Sequence, residues 1–493
     1  MTGLDERIVI VGAGISGLSL AYRLFELLPD ADITILEEKD RVGGTIWTER
    51  QDGFQVEYGP NGFLDTNPTT LRLCQDLGME ADLLPANEAA ARRRFLCLDG
   101  RLHLLPYSLP SFLASDLLSW RGKMSIVAER FWPCRPTSED ESIDAFVSRH
   151  FGREAAQVFA NALVTGIQAG DPTLLSMRAC FPRVANLERE YGSVLKGMSR
   201  SARARARVSG EGSVVSGQQA LDTPKHSPLT THHSPTRRRN QLWSLRGGMR
   251  ELVETLARKL PKQPLLGVGV TQIHKSTEPE TRPAWTVRDP ANSWQADVVI
   301  LTCPAHRQPG LLDGVDKELA DQVRSMPYNK VAVVALGYRE ADVPRTLDGF
   351  GFISPESTRR DTLGVLWCSS IFSERAPPGT VLVRAMAGGW NRPDVLSWPD
   401  ARLTGAVRSD LRQTLGIETR PILERVIRWE NAIPQYLVGH LDRVVRIERR
   451  AALHPGLFLG GNAYRGITLN DCTEQAQLLA QSVAAYLERP SSR

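Results

Sequence analysis

The sequence is short of several features, and each absence closes a line of interpretation. Its seven cysteines, Cys74, Cys97, Cys134, Cys180, Cys303, Cys368 and Cys472, are scattered over 493 residues and odd in number. No two stand as C-x-x-C, so neither a zinc site nor a redox disulfide is expected, and all seven read as reduced thiols. No uninterrupted apolar run approaches the ~18 residues of a membrane span. Asp5, Glu6 and Arg7 lead directly into the first apolar run, which is not the opening of a secretory signal. The formal net charge is only +4, slight for this length, and points to neither nucleic acid nor a strongly acidic partner. No internal repeat is apparent. What remains is a soluble, globular composition, 42% hydrophobic and 24% charged, in a chain too long for one typical core. Two or three domains are expected.

What is present begins at Ile8. Ile8-Val9-Ile10-Val11 suits one buried parallel strand. It runs into Gly12-Ala13-Gly14-Ile15-Ser16-Gly17, a G-x-G-x-x-G. Apolar residues then recur with helical spacing at Leu18, Ala21, Leu24, Phe25 and Leu28. A second strand, Ile33-Thr34-Ile35-Leu36, ends on Glu37 and Glu38. A lone glycine pattern often marks only a turn, but here strand, turn, helix, strand and acidic end make one βαβ unit. Gly12 permits the tight turn, Gly14 lets backbone N–H groups approach a pyrophosphate at the helix N-terminus, and Gly17 lets the helix pack closely. Glu37 can accept from a ribose hydroxyl. Dinucleotide binding is the expected role of this unit, Ile15, Ser16 and Glu38 included.

Further along, Gln55 to Phe63 reads as a short strand followed by a glycine-rich turn, Gly59-Pro60-Asn61-Gly62. Backbone can lie close to a planar ligand there because two glycines carry no obstructing side chain; a plain β-turn is the other reading. Arg92-Arg93-Arg94 precedes an apolar run, and Asp99-Gly100 predicts a hairpin turn. Leu102 to Leu113 is apolar and broken by proline. It could rest on a bilayer surface, line a tunnel for a greasy substrate, or simply pack a helical core. Ser142 to Gly170 is mostly helical and ends at Thr165-Gly166-Ile167-Gln168-Ala169-Gly170-Asp171-Pro172. Ser199 to Asn240 is poor in apolar residues and rich in Ser, Pro and Arg, the composition of a mobile insertion. Gly267-Val268-Gly269-Val270, Trp285 to Val287 and Asp297 to Leu301 then read as strands that re-enter the nucleotide domain. Lys330 to Tyr338 and Gly349 to Pro355 predict a β-rich second domain. Gly460-Gly461-Asn462 and Ile467-Thr468-Leu469-Asn470 offer a second glycine turn and helix N-terminus to phosphate.

The run Glu37-x-x-x-Arg41-x-Gly43-Gly44-Thr45 resembles the signature of the flavin amine oxidase and phytoene desaturase superfamily, and the resemblance implies FAD; as residues alone, Gly43-Gly44 could be a surface turn. Glu57-Tyr58-Gly59-Pro60-Asn61, Arg94-Phe95, Thr165 to Asp171, Gly349 to Ile353, Ile433 to His440 and Asn470-Asp471-Cys472 extend the match over nearly the whole chain. In these the sequence is similar to the oxygen-dependent protoporphyrinogen oxidase family. The resemblance implies an α/β fold with a discontinuous Rossmann-like FAD-binding domain (1–75, 241–305 and 445–493). A mixed α/β substrate domain (76–95 and 306–444), a helical membrane-associating domain (96–200) and the insertion (201–240) complete it. Arg94 would face a propionate, Gly166 the tetrapyrrole, and Phe372 would stack or pack on the macrocycle. Phe350, Gly351 and Ile353 would border the same pocket. Val270 would meet adenine through its backbone, and Trp429 would lie near the flavin. Gln168, Thr468 and Leu469 depart from the family pattern and leave the fine shape of the pocket open.

The implied reaction is the six-electron oxidation of protoporphyrinogen IX to protoporphyrin IX, with O2 reoxidising the flavin to give hydrogen peroxide. No catalytic side chain is needed when a flavin carries the redox step. Arg94, read as a residue alone, could be an ordinary surface cation; within the resemblance its guanidinium fork orients a carboxylate. The implied partners are the tetrapyrrole, O2, a membrane surface, a second copy of the chain and ferrochelatase, with no nucleic acid. The implied location is cytoplasmic and peripheral on the cytoplasmic membrane, or on the mitochondrial inner membrane in a eukaryote. Rival readings are coproporphyrinogen III oxidation, flavin amine oxidation and a non-catalytic porphyrin carrier.

Overall fold

The computed structural model describes residues 6–131, 139–201, 241–276 and 284–488. The insertion expected from residue 201 lies, apart from Ser201, outside the described residues, as does Cys134. The six described cysteines are free.

The first apolar run forms the strand Arg7–Val11, with Ile8 to Val11 buried. Both faces are covered, which is why its apolar residues are consecutive and do not alternate. Asp32–Glu37 and Val298–Leu301 pair with it in parallel, and Leu265–Leu266 and Leu457–Leu459 add parallel edges. The chain therefore enters this sheet near its start, in its middle and near its end. The helices Ile15–Leu27, Arg250–Lys259 and Leu469–Leu487 cover one face around Leu18, Leu252 and Ala480. A small antiparallel sheet of Gln272–Lys275, Trp285–Arg288 and Ser293–Ala296 covers the other, together with the helices Lys317–Arg324 and His440–Ala451.

A second sheet of seven strands runs in the order Leu423–Trp429, Val331–Arg339, Thr380–Gly388, Thr362–Trp367, Gly351–Ile353, Arg94–Leu98, Arg101–Leu104. Its pairings are antiparallel except for Gly351–Ile353 against Arg94–Leu98. The hairpin turn at Asp99-Gly100 is present, with both residues at positive φ. One face packs on the helix Asp400–Leu415, and the other holds Val333, Leu382 and Ile427 against Phe54, Val56 and Ala169. A helical section from Leu109 to Tyr191 packs around Phe146, Val164 and Leu175. No described helix is long and apolar enough to cross a membrane.

One expectation is corrected. Gly267 to Val270 is not a strand. Gly267 sits at φ +71°, and the N–H groups of Gly267 and Val268 donate to Lys39 O and Glu37 O, hooking the segment over the end of a strand. A boundary at residue 96 would cut Arg94–Leu98, whose hairpin closes the edge of the seven-stranded sheet. Leu312, Leu319, Val323 and Val444, which the boundaries at 306 and 445 would assign to the substrate domain, pack in the core under the parallel sheet.

Candidate active site

The glycines of the first turn divide by what surrounds them. A Cβ on Gly12, which sits at φ +110°, would meet the Cys303 backbone N at 2.8 Å, and one on Gly17 would meet Gly12 O at 2.0 Å. These two positions are closed by the protein itself. A Cβ on Gly14 would meet nothing within 4 Å, and Gly14 caps the helix Ile15–Leu27 with no side-chain hydrogen bond. The free N–H groups of that helix start therefore face open space, as an anion site requires.

Around this opening the second glycine run closes in. Gly14 and Gly43 form a parallel bridge, Gly43 N donates to Ala13 O (2.8 Å), and a Cβ on Gly44 would lie 3.4 Å from Gly14 Cα. Gly44 O accepts from Arg41 Nη2 (3.1 Å), whose guanidinium lies over Trp47. Glu37 Oε2 accepts from Ala13 N (2.7 Å) and Oε1 from Lys39 N (3.1 Å), so the carboxylate holds the turn and keeps lone pairs for a hydroxyl. Glu38 is exposed and paired with Arg307, and Gly269, beside Val270, packs near its side chain. Thr302 Oγ1 donates to Val11 O and Gly12 O, pinning the turn from behind.

The third element is the turn at Gly59 to Gly62. A Cβ on Gly59 would meet Thr45 O at 2.3 Å, and one on Gly62 would meet Trp243 O at 2.2 Å. Both amide atoms of Asn61 are buried without any partner, an arrangement that costs free energy unless a bound group supplies the bonds. The turn is fixed by a buried ionic group absent from the sequence reading. Arg384 Nη1 donates to Glu57 O and Gly59 O (both 2.8 Å), and Arg375 Nη2 lies 3.5 Å from Glu57 Oε1. Burial pushes the Glu57 carboxyl up, while Arg375 and the Met249 N–H draw it back. Arg384 had one visible signal, a lone cation inside the apolar run Val381-Leu-Val-Arg-Ala-Met-Ala. Trp429 Nε1 donates to Tyr58 O (3.1 Å), which brings that ring to the same turn.

The helix Leu469–Leu487 starts beside the first one, with the Ser16 hydroxyl against the Cys472 thiol. Its N-terminus is already capped by Thr468 and Asp471, immediately after Ile467. Asn470 Nδ2 donates to Leu64 O (2.7 Å) and its Oδ1 is buried without a partner. Gly461 sits at φ +112°, and Asn462 O accepts from Tyr436 OH (2.5 Å). Tyr436 stacks on His440 at 3.9 Å, whose Nε2–H donates to Tyr464 O (2.9 Å). Burial lowers the His440 pKa to about 4. Its Nδ1 is buried without a partner, so a second proton there would have no acceptor.

The residues expected at a substrate gather on the neighbouring edge of the seven-stranded sheet. Gly351 pairs with Arg94, Phe350 N donates to Arg93 O (2.8 Å), and a Cβ on Gly166 would come within 2.5 Å of Ile353 Cδ1. In the arginine triplet Arg92 pairs with Glu88 and Arg93 with Asp348. Arg94 has no carboxylate partner among the described residues; its guanidinium lies 4.5 Å over the Phe350 ring, and desolvation lowers its pKa. The residue is exposed to solvent. Phe372, expected to stack or pack on a macrocycle, is 0% exposed and packs with Leu84, Ala86 and Ile371, with Phe350 alongside. Its Cζ would lie 3.5 Å from a Cβ on Gly62, which makes it the link between the Asn61 turn and the Arg94 patch.

Comparison with known proteins covers nearly the whole chain. The family model described as flavin containing amine oxidoreductase matches residues 15–484. A chloroplastic protoporphyrinogen oxidase 1 from Arabidopsis thaliana is 32% identical over 504 residues, covering 99% of this chain and 90% of the relative. A coproporphyrinogen III oxidase from Bacillus subtilis is 27% identical, covering 99% and 100%. A solved structure from Exiguobacterium sp. 255-15, assigned to protoporphyrinogen oxidase, superposes with a TM-score of 0.80 at 25% identity, over 99% of this chain and 100% of that one.

Proposed function

This chain belongs to the flavin containing amine oxidoreductase family, and from that premise we propose that it oxidises protoporphyrinogen IX to protoporphyrin IX with FAD as its flavin and O2 as electron acceptor. The observation that carries the substrate is Arg94, the one member of its triplet without a carboxylate partner, lying over Phe350 in the cluster that reaches the Asn61 turn through Phe372. A guanidinium held on an aromatic face, bonded through Nε to Ala91 O (3.2 Å) and with no carboxylate partner among the described residues, suits a carboxylate on a flat apolar ligand. Relatives that are protoporphyrinogen oxidases at 32% identity support the same substrate.

The residues present fit FAD. Gly12 to Gly17, with Gly43 and Gly44, would hold the pyrophosphate at the open helix start, and the spare lone pairs of Glu37 would accept from ribose. The backbone at Val270, beside Glu38, would meet adenine. Thr45, Pro60, Asn61 and Trp429 would border the isoalloxazine, with Asn61 satisfying its unpartnered amide there. Gly461, Asn462, Ile467, Leu469 and Asn470 would close the site from the second helix start. When bound, the flavin supplies the two-electron redox chemistry and passes the electrons to O2. The protein's own contribution is to fix the macrocycle through Arg94, Gly166 and Ile353, and to keep water away with the apolar sheet face. We also place membrane contact on the helical section, where Tyr107, Leu109, Trp120 and Phe131 are exposed.

Purified enzyme supplied in air with protoporphyrinogen IX, coproporphyrinogen III or a primary amine, followed by porphyrin fluorescence and peroxide release, tests this. Protoporphyrinogen should give the highest kcat/KM. Preference for coproporphyrinogen, or peroxide release only with the amine, would replace the proposal.

A further inference from the structure

We propose that Asn329 is a positioning residue for the porphyrinogen: it locks the end of the helix that carries Gly166 to the strand end that carries Trp429, and so sets the gap the macrocycle occupies. The inference rests on the porphyrinogen reading above.

Asn329 is 2% exposed and its side chain is fully used. Nδ2 donates to Gln168 O (2.7 Å) and Ala169 O (2.9 Å), and Oδ1 accepts from Ile433 N (2.9 Å). Two carbonyls on one side and an N–H on the other leave only this orientation of the amide. The carbonyls are the last of the helix Asn161–Gln168, which ends on Ala169 at φ +45°. Helix-end carbonyls in a buried setting need donors from elsewhere. Here they come from Asn329, seconded by Gln435 Nε2 on Gln168 O (3.1 Å) and Trp390 N on Ala169 O (2.8 Å).

On its other side Asn329 exchanges backbone bonds with the segment just beyond Trp429: its N donates to Ile433 O (3.1 Å) and Ala432 N donates to its O (2.9 Å). Ala169, Ala432 and Trp429 pack in the apolar cluster that covers one face of the sheet. One side chain thus joins the two walls, Gly166 against Ile353 on one and Trp429 on the other. With both amide atoms engaged, Asn329 acts through those walls and does not touch substrate.

Asn329→Ala and Asn329→Asp test this; the aspartate keeps the shape but turns oxygen toward both carbonyls. Each should raise KM for protoporphyrinogen about tenfold or more. Flavin content, and the rate at which dithionite-reduced enzyme is reoxidised by O2, should stay at the wild-type value. Deuterium uptake should rise over 161–170 and stay unchanged over 8–17. General loosening would instead degrade flavin content, reoxidation and KM together, and that result, or an unchanged KM, overturns the proposal. Should neither variant accumulate, Gln435→Leu, which removes the secondary bonds to Gln168 O and Ile433 O (both 3.1 Å), should show a smaller rise in KM with the same split; no split there overturns the proposal equally. If wild-type enzyme ignores protoporphyrinogen, the functional reading has failed, while the exchange experiment still decides whether Asn329 holds the turn.

Discussion

The nucleotide turn and the substrate edge are built on opposite principles. At Gly12 to Gly17 the proposed recognition is left to backbone: the walls are glycines, the donors would be helix N–H groups, and the one carboxylate present also braces the turn. At the proposed substrate edge the same task would fall to one guanidinium on a phenylalanine face, in a cluster whose side chains arrive from remote parts of the chain. A backbone site leaves a glycine pattern behind because each glycine answers a local steric demand. A side-chain site leaves almost none, because its parts meet only after folding.

The largest effect tests the first half of that contrast. Gly14 has φ −73° and ψ 178°, allowed for any residue, and no neighbour within reach of a Cβ. Gly14→Val should therefore fold with a near-normal circular dichroism spectrum and melting temperature, yet retain no flavin, since its side chain fills the pyrophosphate space. Gly17→Ala should lose flavin for a different reason, because its Cβ collides with Gly12 O, and it should melt lower as well. A Gly14→Val protein that purifies fully loaded would show that the opening is not where phosphate sits.

Tyr464 O, in the turn ahead of the second helix, is held by a side chain whose charge depends on pH. His440 is ordinarily near 6.5 and is lowered to about 4 by burial. Between those values the unfolded chain binds the proton and the folded one does not, so stability falls as pH drops from about 6.5 to about 4. The full loss is about 3 kcal/mol at 1.36 kcal/mol per unit. His440→Gln keeps a donor for Tyr464 O and removes the titration. Wild-type melting temperature should fall more steeply than the variant's across this window; parallel curves would show that His440 charges freely in the folded protein.

The legible part of the molecule follows the same division. The βαβ unit, the Asp99-Gly100 hairpin and the re-entrant Val298–Leu301 strand were readable because each is dictated by residues close together in the chain. Gly267 to Val270 alternates like a strand, yet a positive φ at Gly267 turns it into a hook. Arg384 reaches Glu57 across 327 residues, and Asn329 reaches Gln168 across 161. No local spacing encodes such pairs. Phe372 was placed at the site by resemblance, but only the fold shows it behind the Asn61 turn.

Arg94 tests the other half of the contrast, with a smaller effect. Losing a charge-assisted contact costs about 1.5–3 kcal/mol, or roughly a ten- to hundredfold drop in kcat/KM. Arg94→Ala should show that drop at unchanged flavin content, and Arg94→Lys should recover only part, since ammonium keeps the charge but loses the fork. Esterified porphyrinogen provides the control: wild type should lose efficiency on it and the variant little more. Equal turnover of the free acid by both proteins would return Arg94 to the status of a surface cation.

The smallest effect lies at the exposed apolar residues of the helical section, where neither glycine geometry nor a buried partner operates. Leu109 is 63% and Trp120 64% exposed, on helices with no span between them. Contact with a bilayer through such residues is additive and shallow, so no single change should abolish it. Half-burying a leucine contributes about 1 kcal/mol, and Leu109→Ser should weaken liposome co-sedimentation about fivefold by the rule of tenfold per ~1.4 kcal/mol. Raising salt should release little wild-type protein, because screening acts on charges and leaves apolar contact in place. Full release by salt, with Leu109→Ser binding like wild type, would mean that the basic surface, and not this apolar one, meets the membrane.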